Sequence, residues 1–600
     1  MCKEPRHHQA LCAPEAANPL SENQWELCAE FEDDNDFAAL KNHRAQLYSR
    51  LGKKRDAAMD LIDALLCQQN ARSITELSEQ PQFKRKYASV TDAIHAAAEQ
   101  QDSLKELLQT RGLSSTPKLL IKGERYKVLI VDATPDPHPH AKCLADRTYI
   151  HDASNKVTGK PINIGIQYSA MVGATEDPAW VSPICFDRIP SQASPTQFGM
   201  QQALSVCNKT SDPCILLFDS AYNNAPCRKI AKACNANAIV IVRSACNRGY
   251  YLPAVIKEKR GPGKPPEYGD KLNLYEPEKG AQPDTKIIIT PNDKRGHLRI
   301  YYWEKTYTKM AGMKGYEDPS AVVVVFEHRA DGSLKYKNPL VVRVFVPEKR
   351  MFNGGEGSWL YFLRFPVERF FGTGKKNLML GRFQSPEIAH QQTFSLMVAL
   401  AYQQLYLAKM SGTIAWTIKP WHRYPKSDPN GEKLIPSHVQ KGYPSVLKTV
   451  GTPAVFRPAT HIPPGRQVGQ TQNKRPLQPV IRKSKPSKQF TPEVESTAPS
   501  MDGKTKKVAA QVAANVINKT FETVIKQASN FIIFFALLLF FQWGFSDEKM
   551  SAHSLHFGQN IISTASELRV GLSNGSVNET KTDLFLIRLL PEGQGPPGFV

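Results

Sequence analysis

Two short segments of the chain are apolar without interruption, and each is followed by an acid. Residues 128–131 precede Asp132, and residues 214–218 precede Asp219. Apolar runs of this length are typical of strands that are buried on both faces in the middle of a sheet. An acid at the end of such a strand lies at the rim of the sheet, where open α/β sheets bind ligands. Either aspartate alone could be a helix N-cap, but the repeated pattern favours a pair of functional carboxylates.

Further apolar patterns lie between and after these two segments. They predict strands over 161–170, 180–186 and 238–243, and helices over about 196–207 and 225–234. The resulting order is three strands, a helix, a strand, a helix and a strand. One acid lies on the first strand and the other directly after the fourth. The pattern therefore predicts an α/β fold with a mixed sheet.

A third acid lies in a later segment with helical periodicity. Pro366 suits the first turn of a helix, and residues 367–371 carry apolar side chains at i, i+3 and i+4. Arg364 and Glu368 are four positions apart, so they share a face of such a helix. A solvated glutamate with ordinary ion pairs would explain this spacing. Together with the two strand-end acids, however, Glu368 is better explained as a ligand for a divalent ion, with cations beside it for phosphates.

The chain between Asp219 and Glu368 is longer than two neighbouring elements need, and its composition is typical of β-structure. Strands are predicted over 286–290, 298–303, 321–326 and 341–346, with a hairpin turn at 330–333. Several basic residues suit contacts with phosphates, although a solvated basic sheet face would look the same: Arg299, Lys305, Lys309, Arg343 and Lys349.

Four polar residues of the late segment, Tyr361, Arg364, Glu368 and Lys375, have the spacing Y-x2-R-x3-E-x6-K. With the two strand-end aspartates, residues 82–469 resemble the DDE transposases of bacterial insertion sequences, in the group that carries the Y-R-E-K signature. The resemblance implies a ribonuclease-H-like catalytic core with a β-strand insertion. It also implies that Asp132, Asp219 and Glu368 are the catalytic residues, which hold two Mg²⁺ ions for which Mn²⁺ can substitute.

The same resemblance implies an activity and its partners. The protein would cleave DNA at the terminal inverted repeats of an element and transfer the strand into target DNA, as a homodimer on DNA in the bacterial cytoplasm, associated with the chromosome. Tyr361, Arg364 and Lys375 would hold DNA phosphates. Trp359 could stack on an extruded base, although a core tryptophan is the more common situation, and Arg243 at the end of a strand is a further candidate for DNA contact.

Other interpretations stay open at this stage. The chain could be a catalytically silent or repurposed derivative that binds DNA without cutting it, or a different metal-dependent nuclease with the same fold. Asp136, Asp152 or Glu356 could replace a member of the triad, although none has the same placement on a strand or helix.

Composition adds limited support. The 600 residues allow roughly three or four domains. The net charge of +21 favours a polyanionic partner such as DNA, although ribosomal or membrane-surface binding would explain it too. The 11 cysteines form no C-x2-C pair and indicate neither a disulfide framework nor a zinc ribbon. A zinc site at His138, His140 and Cys143 would lack a second pair of ligands, so a polar loop is the better interpretation.

These patterns divide the chain into six parts. They are a helical, DNA-end-binding domain (1–115), the first part of the catalytic core (116–250), the β-rich insertion (251–355), the core completion with the acid helix (356–412), a largely disordered basic arm rich in proline (413–502) and a tail (503–600). Ser73 and Ser89 each begin a capping-box pattern in the first part, and the basic residues 84–86 are its obvious candidate for DNA contact.

An apolar run over 531–545 is the main feature of the tail. It is shorter than the roughly 20 residues that span a bilayer. A buried helix, a dimer-contact helix or a sequence appended by insertion into other coding DNA are alternatives to a membrane span, and membrane association is not expected.

Overall fold

The computed structural model describes residues 25–26, 37–152, 158–234, 238–255, 266–289, 296–309, 319–347, 352, 354–411, 434–456, 467–471 and 473–482. The helices are α1 (Ala38–Arg50), α2 (Arg55–Cys67), α3 (Ile74–Ser78), α4 (Ala88–Ala98), α5 (Gln101–Ser114), α6 (Pro195–Cys207), α7 (Ala225–Cys234), α8 (Gly354–Phe362), α9 (Pro366–Asn377), α10 (Ile388–Met410) and α11 (Pro436–Val450). The strands are β1 (Trp25–Glu26), β2 (Lys118–Ile121), β3 (Glu124–Pro137), β4 (Arg147–His151), β5 (Ile162–Ala174), β6 (Val181–Ile189), β7 (Cys214–Phe218), β8 (Ala238–Ser244), β9 (Tyr250–Tyr251), β10 (Thr285–Ile289), β11 (His297–Thr308), β12 (Ser320–His328), β13 (Leu340–Phe345) and β14 (Val480–Ile481).

Five strands form the centre of one mixed sheet in the order β6, β5, β3, β7, β8. β3 is antiparallel to β5 and parallel to β7, and β7 is parallel to β8. In chain order these strands are the third, second, first, fourth and fifth of the core, with α6 and α7 in the predicted places. The mixed α/β fold predicted from the sequence is confirmed.

The β-rich insertion continues this sheet. β13 pairs antiparallel with β8, and β12, β11 and β10 follow in order by antiparallel pairing. All four predicted strands are present. The predicted turn over 330–333 directly follows β12, in the connection that leads to β13. At this turn Gly332 has a φ of 82°, which favours glycine, and Asp331 accepts hydrogen bonds from Ser333.

Two hydrophobic cores cover the two faces of the central sheet. Alternate residues of β3 face opposite sides, so Leu129 and Val131 pack with α6 and α7, whereas Val128 and Ile130 pack with the helices of the other side. On that second side lies α10, whose residues 391–408 are all buried. α1, α2, α4, α5 and α11 surround α10, so the N-terminal helices share one core with the sheet.

One buried ion pair marks the junction between the N-terminal helices and α10. Arg44 of α1 donates to both oxygens of Asp63 on α2, at 2.8 and 3.0 Å, and to Oε1 of Gln404 on α10 at 2.7 Å. Both charged side chains are almost fully buried, so the loss of either would leave the other as an isolated buried charge.

A neighbouring histidine makes the stability of this junction depend on pH. His43 is fully buried, and neither ring nitrogen has a hydrogen-bond partner among the described residues. Burial lowers the pKa of His43 to about 3, and the nearby Arg111 and Arg44 act in the same direction. The unfolded chain therefore takes up a proton below about pH 6.5 that the folded chain does not, so stability falls as the pH drops.

We expect this group to remove about 1.4 kcal/mol of stability between pH 7.5 and 5.5. His43→Leu should abolish this part of the pH dependence, because leucine has no proton to bind. Thermal unfolding of both proteins at the two pH values measures the difference. An equal loss of stability in both proteins would contradict the assignment.

The C-terminal part of the described chain contains more regular structure than the sequence predicted. In the predicted arm, residues 436–450 form α11, which buries Val439, Tyr443 and Val446, so the expectation of disorder is wrong there. Residues 480–481 form β14, which pairs in parallel with β4. The apolar run 531–545 lies outside the described residues. Over the part of the chain that is described, no helix is both long and apolar enough to cross a membrane.

The two capping-box predictions have different outcomes. Ser73 is the N-cap of α3, and its hydroxyl accepts a hydrogen bond from the Glu76 amide, as predicted. Ser89 lies within α4, whose N-cap is Tyr87, and the prediction there is wrong because the helix begins before the motif.

Candidate active site

Adjacent parallel strands bring the two aspartates to the same edge of the sheet. Val131 of β3 lies opposite Phe218 of β7, and each strand position is followed directly by an acid. Asp132 and Asp219 therefore lie side by side where β7 ends, as expected for a pair of functional carboxylates. The prediction that a strand ends at Asp132 is wrong, because β3 continues to Pro137 by pairing with β5. Asp219 is also the N-cap residue of a short 3₁₀ turn over Ser220–Tyr222.

The third acid approaches from a helix above this edge. The segment predicted as one helix consists of α8 and α9, which are separated by a turn over 363–365. Pro366 occupies the first turn of α9, as expected, and Glu368 lies in that same turn, where the helix dipole stabilises a carboxylate. Phe370 is buried and has edge contacts with Phe186 of β6 and Tyr402 of α10, which fix α9 against the sheet.

Arg364 links two of the three acids. Its Nη1 donates to Oδ2 of Asp132 at 2.8 Å, and its Nη2 donates to Oε1 of Glu368 at 2.8 Å. The arginine side chain is only 6% exposed, compared with 22% for Asp132 and 53% for Glu368. The guanidinium therefore lies beneath the acids and bridges a strand to a helix.

Asp219, the remaining acid, also interacts electrostatically with Asp132. Burial raises the pKa of Asp132 to about 6, and the negative charges of Asp219 and Glu368 act in the same direction. Arg364 and a hydrogen bond from the Ala133 amide oppose this rise. The three carboxylates are therefore close enough to influence one another, which is the usual condition of acids that share a cation.

Tyr361 faces the remaining acid. Its hydroxyl lies 3.5 Å from Oδ1 of Asp219, and the side chain is almost fully buried. Burial raises the pKa of Tyr361 to about 12, so it is a neutral hydrogen-bond donor at physiological pH. In the described structure it contacts a carboxylate.

Lys375 also contacts the protein. Its Nζ donates to the Pro135 carbonyl of β3 at 2.8 Å, and burial lowers its pKa while Asp136 and Asp152 oppose the change. Asp136 is buried and 2.9 Å from Nε2 of His138. Sequence reasoning missed this second polar cluster, whose signal was the alternation of polar residues along the end of β3.

The two weaker DNA-contact candidates lie near the site. Arg243 is half-buried on β8 and close enough to influence the pKa of Tyr361. Trp359 of α8 is partly buried and packs against the main hydrophobic core. Their contact with DNA stays a prediction.

The alternative members of the acid triad, and one basic residue predicted to contact phosphates, interact with other parts of the protein. Asp136 and Asp152 are buried in the Lys375 cluster, and Glu356 interacts with Tyr302 of β11. Arg343 is almost fully buried, with its Nε donating to Ser320 at 2.8 Å, so its predicted contact with phosphates is wrong. The physical reason is that β13 lies inside the extended sheet and not at its edge.

Tyr222 is a site residue that the sequence did not reveal. It is buried beside Asp132 and Asp219, and its hydroxyl has no hydrogen-bond partner among the described residues. Its position three residues after Asp219 was the available signal.

The donor set suits a hard divalent ion. Three carboxylates are the ligands that Mg²⁺ and Mn²⁺ prefer. Among the described residues, no three or more acidic, imidazole or thiol side chains are grouped closely enough to hold an ion without rearrangement. The guanidinium of Arg364 lies between the carboxylates of Asp132 and Glu368 and keeps these two acids apart.

Comparison with known proteins gave one family match. Residues 46–309 match a family described as DDE superfamily endonuclease. The matched segment is less than half of the chain, and it includes Asp132 and Asp219 but not Glu368. No curated protein matches the chain.

Two solved structures are weakly similar. A piggyBac transposase synaptic complex with hairpin DNA has 8% sequence identity and a TM-score of 0.36, over 71% of this chain and 83% of the other. The NurA nuclease from Sulfolobus solfataricus has 9% identity and a TM-score of 0.18, over 48% of this chain and 90% of the other. These scores are too low to bear on fold or function.

Proposed function

We propose that this protein is a DDE transposase, which cleaves DNA at the ends of an insertion sequence and transfers the strand into target DNA. The observation that carries the proposal is the convergence of Asp132, Asp219 and Glu368 at one edge of the sheet. The match of residues 46–309 to a DDE endonuclease family and the net charge of +21 support it.

In this proposal Asp132, Asp219 and Glu368 hold two Mg²⁺ ions, for which Mn²⁺ can substitute. Such ions activate water or a DNA 3′-hydroxyl and stabilise the leaving oxygen. The chain's own residues position the ligands. Tyr361 lies against Asp219, Arg364 contacts the other two acids, and Lys375 ties α9 to the end of β3.

DNA is the proposed partner, as terminal inverted repeats and as target, with the protein acting as a homodimer on the chromosome. Tyr361, Arg364 and Lys375 are proposed to hold phosphates, with Arg243 and Trp359 nearby. The first three contact protein groups in the DNA-free chain, so the proposal requires that they exchange partners when DNA binds.

The test is cleavage and joining of a labelled DNA that carries the element's own ends, with Mg²⁺, with Mn²⁺ and with EDTA. We expect cutting at the ends with either metal and none with EDTA. Scrambled ends of equal length and composition are the control for specificity. Binding without cutting under every condition would favour a catalytically silent derivative, and metal-dependent cutting of both DNAs alike would indicate a different nuclease.

A further inference from the structure

We propose that Arg364 occupies the place of the divalent cation in the metal-free protein: its guanidinium holds Asp132 and Glu368 in position and is displaced from them when metal binds. This inference rests on the proposed function, because it requires that these acids bind metal. It makes Arg364 a positioning residue whose partner changes during the reaction cycle.

Arg364 forms a bridging ion pair with Asp132 and Glu368. One guanidinium spans two carboxylates with two bonds of 2.8 Å, from a side chain that is 6% exposed. The two acids lie on β3 and α9, which are distant in the sequence. The same side chain therefore sets the distance between the strand that carries one acid and the helix that carries another.

Charge explains why a cation is needed there before any metal arrives. Asp132 is largely buried, and Asp219 and Glu368 lie within electrostatic range of it. Carboxylates crowded in this way repel one another and lose hydration, so the metal-free site needs a positive charge to stay in place. Arg364 supplies that charge from inside the protein.

Charge also explains why the arginine leaves. A dication bound by Asp132 and Glu368 would stand beside the guanidinium, and like charges at such distances repel strongly in a partly buried site. The metal also replaces the attraction that held the arginine. Metal and arginine therefore compete for the same two carboxylates.

Arg364 retains capacity for another partner. Its Nε is buried and has no hydrogen-bond acceptor among the described residues, so the ion pair does not use all of its donors. A guanidinium released beside the acids can bind a DNA phosphate in a bidentate manner. The exchange thus couples metal binding to the availability of a phosphate contact.

The test is Ca²⁺ binding by the full chain without DNA. Calorimetry measures the affinity, and thermal unfolding with and without Ca²⁺ measures the stability. Removing the competitor in Arg364→Gln should tighten Ca²⁺ binding about tenfold, since two charge-assisted hydrogen bonds no longer have to be broken. The variant should unfold at a lower temperature than wild type without Ca²⁺ and recover most of this difference with it. Arg369→Gln is the matched control, because it removes one positive charge at an exposed position of α9, five residues after Arg364.

The outcomes separate this inference from the proposed function. If Asp132→Asn abolishes Ca²⁺ binding but Arg364→Gln binds no more tightly than Arg369→Gln, the competition is overturned and the metal site stands. An Arg364→Gln protein destabilised equally with and without Ca²⁺ would likewise reduce the arginine to a structural role. Ca²⁺ binding that does not depend on Asp132 would overturn the metal site, and the inference with it.

Discussion

Glu368→Gln is expected to lower the rate of DNA cleavage by about a thousandfold or more, which corresponds to ~4 kcal/mol of activation free energy. Glutamine lacks the negative charge that a divalent ion needs from its ligand. Its amide oxygen can still accept the hydrogen bond from Nη2 of Arg364, so the bridge to Asp132 and the fold should be retained. DNA binding should persist, because the change removes a negative charge from the site.

Glu356→Gln is the matched control for this prediction. Glu356 lies on α8, twelve residues before Glu368, and it influences Tyr302 of the insertion. Single-turnover cleavage and a filter-binding titration on the same DNA measure both quantities. Cleavage that survives in Glu368→Gln but fails in Glu356→Gln would move the third ligand from α9 to α8.

Gly112→Ala is expected to destabilise the protein by about 3 kcal/mol or more. Gly112 lies on α5 where this helix crosses β6, and an added Cβ would come within 2.1 Å of the Pro183 carbonyl oxygen and 2.8 Å of the Ile184 Cα. Both obstacles are backbone atoms, so the helix and the strand would have to move apart. The Gly112 carbonyl also accepts hydrogen bonds from Thr116 and Ser182, which the movement would strain.

Gly372→Ala provides the comparison on another helix. A Cβ added at Gly372 of α9 meets no atom within 4 Å, so the substitution should leave stability unchanged or raise it by about 0.5–1 kcal/mol through helix propensity. Thermal unfolding and limited proteolysis of both variants measure the contrast. Equal stability of the two proteins would mean that α5 does not lie this close to β6.

The sequence predicted the strands of the core well because each is a continuous apolar run that only a buried strand accommodates. β3 and β7 were predicted together with their acids, but β3 continues to Pro137, so Asp132 lies within its strand and only Asp219 follows one. The pairing of β13 with β8 could not be predicted, since a strand's apolar pattern does not identify its neighbour. The insertion therefore looked like a separate domain in the sequence and is an extension of the central sheet in the structure.

The residues that the sequence grouped into a candidate site lie near one another in the structure, but their contacts could not be predicted. Spacing placed Arg364 and Glu368 on one face, and they do form an ion pair, although Arg364 lies in the turn before α9. The second bond of Arg364, to Asp132, joins positions 232 residues apart, and no local pattern encodes such a contact. The same holds for Lys375, whose bond to Pro135 spans 240 residues.

The shared core of the N-terminal helices and α10 has a consequence for the nascent chain. Arg44 donates a hydrogen bond to Gln404, which is translated 360 residues later. At about 5–20 residues per second, the ribosome needs roughly 20–70 s to cover that interval. Throughout this interval, α1 and α2 expose apolar surface whose partner α10 has not yet been translated, so we expect chaperones to bind them. For the same reason, residues 1–115 expressed alone should aggregate, and co-expression with a fragment that contains α10 and α11 should rescue them.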